Sequence, residues 1–531
     1  MFHMEVINLL SSQETWLRQA AGEREAWLMP SWNGRPRIEK PPLCVWINLL
    51  AWRGLDPQSA TGDQLLYRSR LASLILVAVG LLALAGIGRT LGDWRTAALA
   101  PALTGTMLLF IRQSRLASYD THLVVWVLLA LAAGLWAIYA PPCRRIVCGA
   151  AWGATGLALA AAVLTKGPLA LALTVGTLVV AIVSRREHRR EHVRGLMFSL
   201  VVMAVLAIPW FVYALCHVAG AAGRLAHEYR AVRGNSQPCY YYLGVIAWVF
   251  PWSIWILPAV CSPLWSKEKP WAGRFSPAWI WFVILIGGLS LADAKTQRYA
   301  VPALPAAGLL IADYLLRAAS SGRWISFGFL LQWVLLAAGA ITLPLLILFQ
   351  DLLIQWGLLK RPELVGLPTP VAILTAVIVL GLVAQGYRLQ RRARTFAAVW
   401  LGAISMSVLA TATLYGYAQS EHGRYADKAV AVDFGLTTRG LPVFCYMPPG
   451  GATHIDEPNQ RFLFYARRTV PPLCQPELPA VAARDERVLL MARAELDPEV
   501  RAAGFKPISE FHDGDYVRKL YENRPARQTA P

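Results

Sequence analysis

The chain has 531 residues, 56% of them hydrophobic and only 16% charged, with a formal net charge of +19. Soluble domains sit nearer half apolar and a quarter charged. Here the apolar residues gather into runs long enough to cross a hydrocarbon core of about 30 Å, which excludes an ordinary soluble protein. The positive charge does not imply a nucleic-acid partner, because Lys and Arg collect in short loops between those runs, as the positive-inside rule expects.

Residues 1–70 precede the first long run and read as an outer loop with amphipathic helices. Within them, NGRPRIEKPPLCVW (33–46) sets Lys40 between Glu39 and Pro41-Pro42. The prolines fix φ and bias Lys40 away from helix, so the corner can hold a carboxylate and an ammonium at low entropic cost. Lysine is a usual point-charge partner for phosphate, although the corner reads equally as a helix start with a surface Lys.

Residues 71–417 then read as a transmembrane domain of about twelve helical spans, since ~20-residue helices satisfy their own backbone groups in lipid. The expected spans are 71–88, 93–111, 121–139, 145–163, 167–183, 195–216, 240–262, 277–293, 299–316, 324–349, 369–386 and 396–417. The strand alternation of a β-barrel is not seen. Arginine-rich loops such as SRREHRREHVR (184–194) and RLQRRAR (388–394) alternate along the chain and are expected in the cytoplasm. The intervening loops, both chain ends and residues 418–531 are then expected outside. An even number of spans with both ends outside further predicts a leading span upstream of Met1.

Residues 418–531 read as a small extracytoplasmic α/β domain, with strands at 441–447, 461–468 and 487–493 and a helix at 425–437. Of the eight cysteines, Cys445 and Cys474 fall in this part and could pair in an oxidising compartment.

Ionisable residues at the membrane are costly, and their default reading is functional. Besides the Glu39-Lys40 corner, they gather in four outer stretches. RQSRLASYDTHLVVW (112–126) places Asp120 at the first turn of a span, where it reads as a cap or a site carboxylate. LTKGPLA (164–170) carries Lys166 in a tight turn, as a site cation or a snorkelling anchor. RLAHEYRAVRGNSQPCYYY (224–242) offers His227, Glu228 and Arg230; a His and a Glu there could bind metal or simply be solvated. DAKTQRYAVPALP (293–305) carries Lys295, Arg298 and Tyr299. Basic residues in outward loops oppose the orientation rule, and a phosphate-bearing substrate would reward them.

In order and spacing, GEREAWLMPSWNGRPRIEKPPL, RLASYD, LTKGPLALAL, HEYR with QPCYYYLGVIAWVFPW, and RYAVPALPAAGLL resemble the membrane glycosyltransferases of the GT-C fold. The nearest likeness is to the branch holding the bacterial aminoarabinose lipid A transferases and the dolichyl-phosphate-mannose protein mannosyltransferases. The resemblance implies an all-α polytopic membrane protein with a small C-terminal α/β domain. It implies transfer of a sugar from a polyprenyl-phosphate donor to a lipid, glycan or protein acceptor, with inversion, at the outer face of the cytoplasmic membrane. It places Lys40, Lys166, Arg230, Arg298 and Tyr299 on the donor phosphate, Glu39 and His227 on a possible divalent metal, and Asp120 as a cavity carboxylate. The family opens this loop with an Asp-Glu pair whose Asp is the proposed base. Here Gln13 and Glu14 stand there, which leaves Glu14 or Asp120 as the expected base, because Gln cannot take a proton. The departure keeps open an inactive polyprenyl-phosphate-binding homologue. A lipid-linked sugar transporter or flippase is the rival of another class, but such proteins carry polar sites near mid-membrane.

Overall fold

The computed structural model describes residues 3–139, 145–185, 187–225, 237–265, 275–292, 295–317, 323–357, 366–419, 427–450, 456–514 and 516–523. The chain forms two compact units. One comprises Glu39–Leu43 and Ser73–Arg424, the other Met1–Ile38, Cys44–Ala72 and Tyr425–Pro531.

Each of the twelve expected spans is helical, but not every one is a single long helix. Among the described residues eight helices are long and apolar enough to cross a membrane: Gly62–Leu91, Tyr119–Tyr139, Arg145–Lys166, Arg189–His217, Gln297–Arg317, Trp324–Leu348, Thr369–Arg391 and Thr395–Gln419. Two further expected spans are pairs of helices that meet at a sharp bend. Trp94–Gly105 and Leu108–Ser114 meet at 73°, and Cys239–Trp248 and Ser253–Leu264 meet at 118°. The remaining two, Leu169–Ser184 and Ser276–Leu291, are helices of 16 residues each. Hydropathy locates apolar runs and is blind to where a helix bends within one.

The two breaks close on each other. Leu108 N donates to Phe250 O at 2.9 Å, and Trp252 Nε1 donates to Thr106 Oγ1 at 2.9 Å. Pro251, which has no N–H to offer a helix, stands in the second break. Backbone groups freed inside a membrane must find partners within the protein; here Leu108 N is taken up by Phe250 O across the two breaks, while Met107 N, Phe250 N and Trp252 N bond within their own turns. A second close approach lies between Trp94–Gly105 and Leu304–Arg317. A Cβ at Gly308 would collide with Thr104 Oγ1 and stand 2.9 Å from Ala100 O. Small residues allow such backbone proximity.

In the other unit, a five-stranded sheet has the order β4-β3-β5-β7-β6, formed by β3 (Val443–Met447), β4 (Pro472–Cys474), β5 (Leu489–Arg493), β6 (Lys506–Asp513) and β7 (Tyr516–Glu522). β3 pairs parallel with β4 and β5, whereas β7 pairs antiparallel with β5 and β6. The inner strands β3 and β5 are mostly buried, as parallel pairing requires. Tyr446, Leu490, Val500, Phe505 and Tyr521 build one core of this sheet. The helix Lys428–Thr437 falls where the sequence places one.

Two expectations are corrected here. RFLFYARR is not a strand but the helix Gln460–Ala466, because Asn459 caps its N-terminus through Arg461 N and Arg467 ends it in the left-handed region. Five consecutive residues, Phe462 to Ala466, are buried, which is not strand alternation. Cys445 and Cys474 are both free thiols, one buried and one exposed.

The N-terminal segment is built into this same unit. The helix His3–Ala20 pairs its buried Glu5 with Arg70 through two bonds of 2.8 and 2.7 Å. Arg467 donates to the carbonyls of Ala60 and Pro57, and Val470 N donates to Asn33 Oδ1 at 2.8 Å. Residues far apart in sequence therefore share one set of buried hydrogen bonds.

Gly308→Ala is expected to destabilise the membrane unit by about 1–3 kcal/mol through overpacking, read as a lower melting temperature of the detergent-purified protein. Thr104→Ala in the same chain should restore part of the loss. An unchanged melting temperature in Gly308→Ala alone would reject the close approach.

Candidate active site

In the membrane unit, four of the nominated residues converge. Asp120, buried at the start of Tyr119–Tyr139, accepts through Oδ1 from Lys166 Nζ, and its Oδ2 lies 3.7 Å from Arg298 Nε. Lys166 is the last residue of Arg145–Lys166, and Arg298 lies in the 3-10 helix Gln297–Ala303. The Tyr299 ring lies beneath both cations, 4.6 Å from Lys166 Nζ and 5.5 Å from Arg298 Cζ. Three segment ends thus deliver two cations, one carboxylate and one aromatic ring to a single spot. The sum of formal charges is positive.

The 3-10 helix is held by its neighbours. Buried Lys295 donates to the carbonyls of Gln237 and Ala292. Tyr242 Oη donates to Thr296 O at 3.1 Å and accepts from Thr296 N at 3.2 Å. The QPCYYY stretch is thereby fastened to the corner that carries Arg298. Tyr242, the fully buried member of the three tyrosines, is a site-positioning residue that no local sequence pattern distinguishes from its neighbours.

The Glu39-Lys40 corner belongs to the same unit. Glu39 Oε1 accepts from Arg224 Nε at 3.0 Å and Nη2 at 2.5 Å, and Lys40 is half-buried beside it. His227 and Arg230 lie outside the described residues. Among the described residues no three His, Cys, Asp or Glu side chains gather where a metal ion could sit. Of the two candidate ligands, Glu39 has one oxygen bonded to Arg224, and His227 is not described.

Glu14 belongs to the other unit, and its surroundings are quite different. β1 (Ser31–Trp32) and β2 (Arg35–Pro36) form a hairpin around Asn33 and Gly34, whose φ values are 50° and 77°. A two-residue turn with both φ positive is the tight hairpin turn that Asn-Gly favours. The Glu14 carboxylate fills it. Oε1 accepts from Asn33 N at 2.5 Å, and Oε2 accepts from Ser31 Oγ at 2.9 Å and Gly34 N at 3.1 Å. Burial pushes its pKa above the ordinary value, while these donors and Arg18 pull the other way less strongly. The preceding Gln13 is buried, and its side-chain oxygen has no partner among the described residues.

The model of the dolichyl-phosphate-mannose-protein mannosyltransferase family matches residues 50–222. The fold is that of the GT-C membrane glycosyltransferases, and the chain is a multi-pass membrane protein. Over its whole length it superposes on ArnT from Cupriavidus metallidurans bound to undecaprenyl phosphate, with a TM-score of 0.72, 19% identity and 95% of that chain covered. Among curated proteins, the undecaprenyl phosphate-alpha-4-amino-4-deoxy-L-arabinose arabinosyl transferase of Pseudomonas savastanoi is 28% identical over 312 residues, which cover 56% of this chain and 55% of that protein. The second transferase of that description in Proteus mirabilis is 25% identical over 302 residues, covering 54% and 51%. The chain thus spans about half the length of the curated relatives it matches.

The raised pKa of Glu14 sets a sign for stability. The folded chain holds this proton more tightly than the unfolded chain, so stability falls as pH rises from about 4.3, the free Glu value, through the raised folded value. Glu14→Gln should flatten that part of the melting-temperature profile and lower the plateau at acid pH, because an amide presents only one acceptor oxygen to three donors. A variant whose profile keeps the parental slope would assign the titration elsewhere.

Proposed function

We propose that the chain is a glycosyltransferase that moves a sugar from a polyprenyl-phosphate donor to an acceptor at the extracytoplasmic face of the inner membrane. The observation that carries this reading is the Asp120–Lys166–Arg298–Tyr299 cluster, a net positive site at the ends of membrane helices. The relatives named as undecaprenyl-phosphate arabinosyl transferases support 4-amino-4-deoxy-arabinose as the sugar and a lipid acceptor, lipid A being the first to test.

In this reading the acceptor oxygen attacks the anomeric carbon, the bond from that carbon to the phosphate oxygen breaks, and the electron pair leaves on polyprenyl phosphate. Charge grows on the leaving phosphate, where fixed cations lower the barrier. Lys166 and Arg298 supply them, with Lys40 and Arg230 as further phosphate partners. Asp120 preorganises the two cations before the donor arrives. An incoming phosphate competes for them and loosens their hold on Asp120, which then serves as proton acceptor for a hydroxyl. Glu14, with both oxygens taken by the hairpin, acts in this reading as the hairpin's anchor. An acceptor that arrives already ionised, such as a phosphate oxygen, would need no base at all and would itself be drawn to a positive site.

The test is transfer of labelled sugar from a panel of polyprenyl-phosphate donors into lipid and protein fractions by the purified chain. Lys166→Ala and Arg298→Ala are each expected to cost about 10²–10³-fold in rate, as loss of a transition-state charge partner does. Transfer to a hydroxyl should also fall in Asp120→Asn, whereas transfer to a phosphate should fall less. Donor binding with no transfer from any donor would replace this reading with the inactive binder.

A further inference from the structure

A cleft of about 670 Å³ lies within the unit that contains the sheet, in the size range of small-ligand sites, and the proposed transfer does not use it. Its lining includes Trp32 and Asn33 of the hairpin, Glu457, Gln460, and Asp513 and Tyr516 at the β6–β7 turn. The carboxylates among these are matched by arginines. Asp513 Oδ2 accepts from buried Arg518 Nε at 2.7 Å, and Glu457 lies 3.6 Å from Arg35. Arg518 also donates to Asp456 O and Glu457 O, which fixes that wall.

Among the described residues, four buried polar atoms of the lining side chains have no hydrogen-bond partner: Trp32 Nε1, Asn33 Nδ2, Gln460 Oε1 and Asp513 Oδ1. Buried polar atoms are nearly always paired, and an unpaired set calls for an explanation. Here the set holds two donors and two acceptors. A phosphate would call for donors alone, a metal ion for acceptors alone, and an acyl chain for neither. Sugar hydroxyls each donate and accept. Trp32 and Tyr516 add ring surface for the apolar face of a pyranose, and the charges of the lining residues, Glu457 and Asp513 against Arg461 and Arg518, sum to zero, which favours an uncharged ring. The soft terminal torsion of Gln460 lets its amide turn to meet a ligand.

We propose that this cleft is a saccharide-binding site. Its ligand is a hydroxylated sugar ring, contributed by the carbohydrate of the acceptor or by the donor sugar. The inference stands apart from the transfer reading, since a chain that binds sugar here without transferring it still satisfies it.

The experiment is saturation-transfer NMR on the full chain in detergent, with N,N′-diacetylchitobiose as an acceptor-type probe and L-arabinose and methyl mannoside as donor-type probes. One class of probe is expected to receive saturation. Tyr516→Ala with Gln460→Ala, both at the cleft surface, should weaken it by about tenfold or more while the melting temperature holds. Asp120→Asn should leave the probe signal intact even where transfer is lost, which separates failure of this site from failure of the transfer reading. No saturation of any probe, or an undiminished signal in the double variant, would overturn the proposal.

Discussion

A carboxylate taken out of water must be paired, and the pairing of Asp120 organises the membrane unit. Its partners come from the end of one helix and the start of a 3-10 segment, so the charge can be satisfied only if three segment ends meet. Losing one partner of a buried pair leaves an uncompensated charge, which costs far more than the pair contributes. Each charge also sits at the favourable pole of its own helix: Asp120 in a first turn, Lys166 in a last one. The Tyr299 ring adds cation–π attraction to both cations. The geometry is therefore fixed before any substrate binds, and that is the condition under which fixed charges speed a reaction.

The broken helices bear on the choice between enzyme and transporter. Transporters use discontinuous helices to expose backbone groups to a substrate near mid-membrane. Here the amides at the two breaks are taken up within their own turns or, for Leu108 N, by Phe250 O of the other break, and Trp252, fully buried, seals the junction. The charged residues sit instead at helix ends, with Lys295 and Tyr242 fastening the corner that carries Arg298. A polar site confined to helix ends fits chemistry at an interface better than passage through a membrane.

Much of this was legible in the sequence, and the reasons for the exceptions are physical. Apolar runs and Arg-rich loops mark the spans because the bilayer imposes both. Lys166 and Arg298 were readable as basic residues at odds with outward loops, Asp120 as a carboxylate at the start of a span and Tyr299 as a neighbour of Arg298, but their mutual contact depends on how the helices pack, which no local pattern encodes. The 461–468 stretch misled because an unbroken apolar run suits a buried strand and a buried helix equally; the capping Asn459 was the signal that separated them. The Asn33-Gly34 turn was readable as a hairpin and was overshadowed by the Glu-Lys-Pro-Pro corner six residues on. That the N-terminal segment shares a unit with the C-terminal sheet rests on bonds such as Val470 to Asn33, whose sequence separation puts them beyond any window.

The Gln13-Glu14 pair can be weighed in the same terms. Where the family resemblance sets two carboxylates, this chain has an amide and one carboxylate, and that carboxylate already accepts three hydrogen bonds from the hairpin. Freeing it would leave Ser31 Oγ and two backbone N–H groups without partners, each costing roughly 1–3 kcal/mol when buried. With three of its roughly four acceptor sites engaged, Glu14 has little capacity left for a substrate proton. At Asp120 a substrate phosphate can take over the cations, and the carboxylate so released becomes more basic, which suits a proton acceptor. On these grounds the proposed chemistry is assigned to Asp120, Lys166 and Arg298, and under that proposal the substitution at position 13 need not silence the protein.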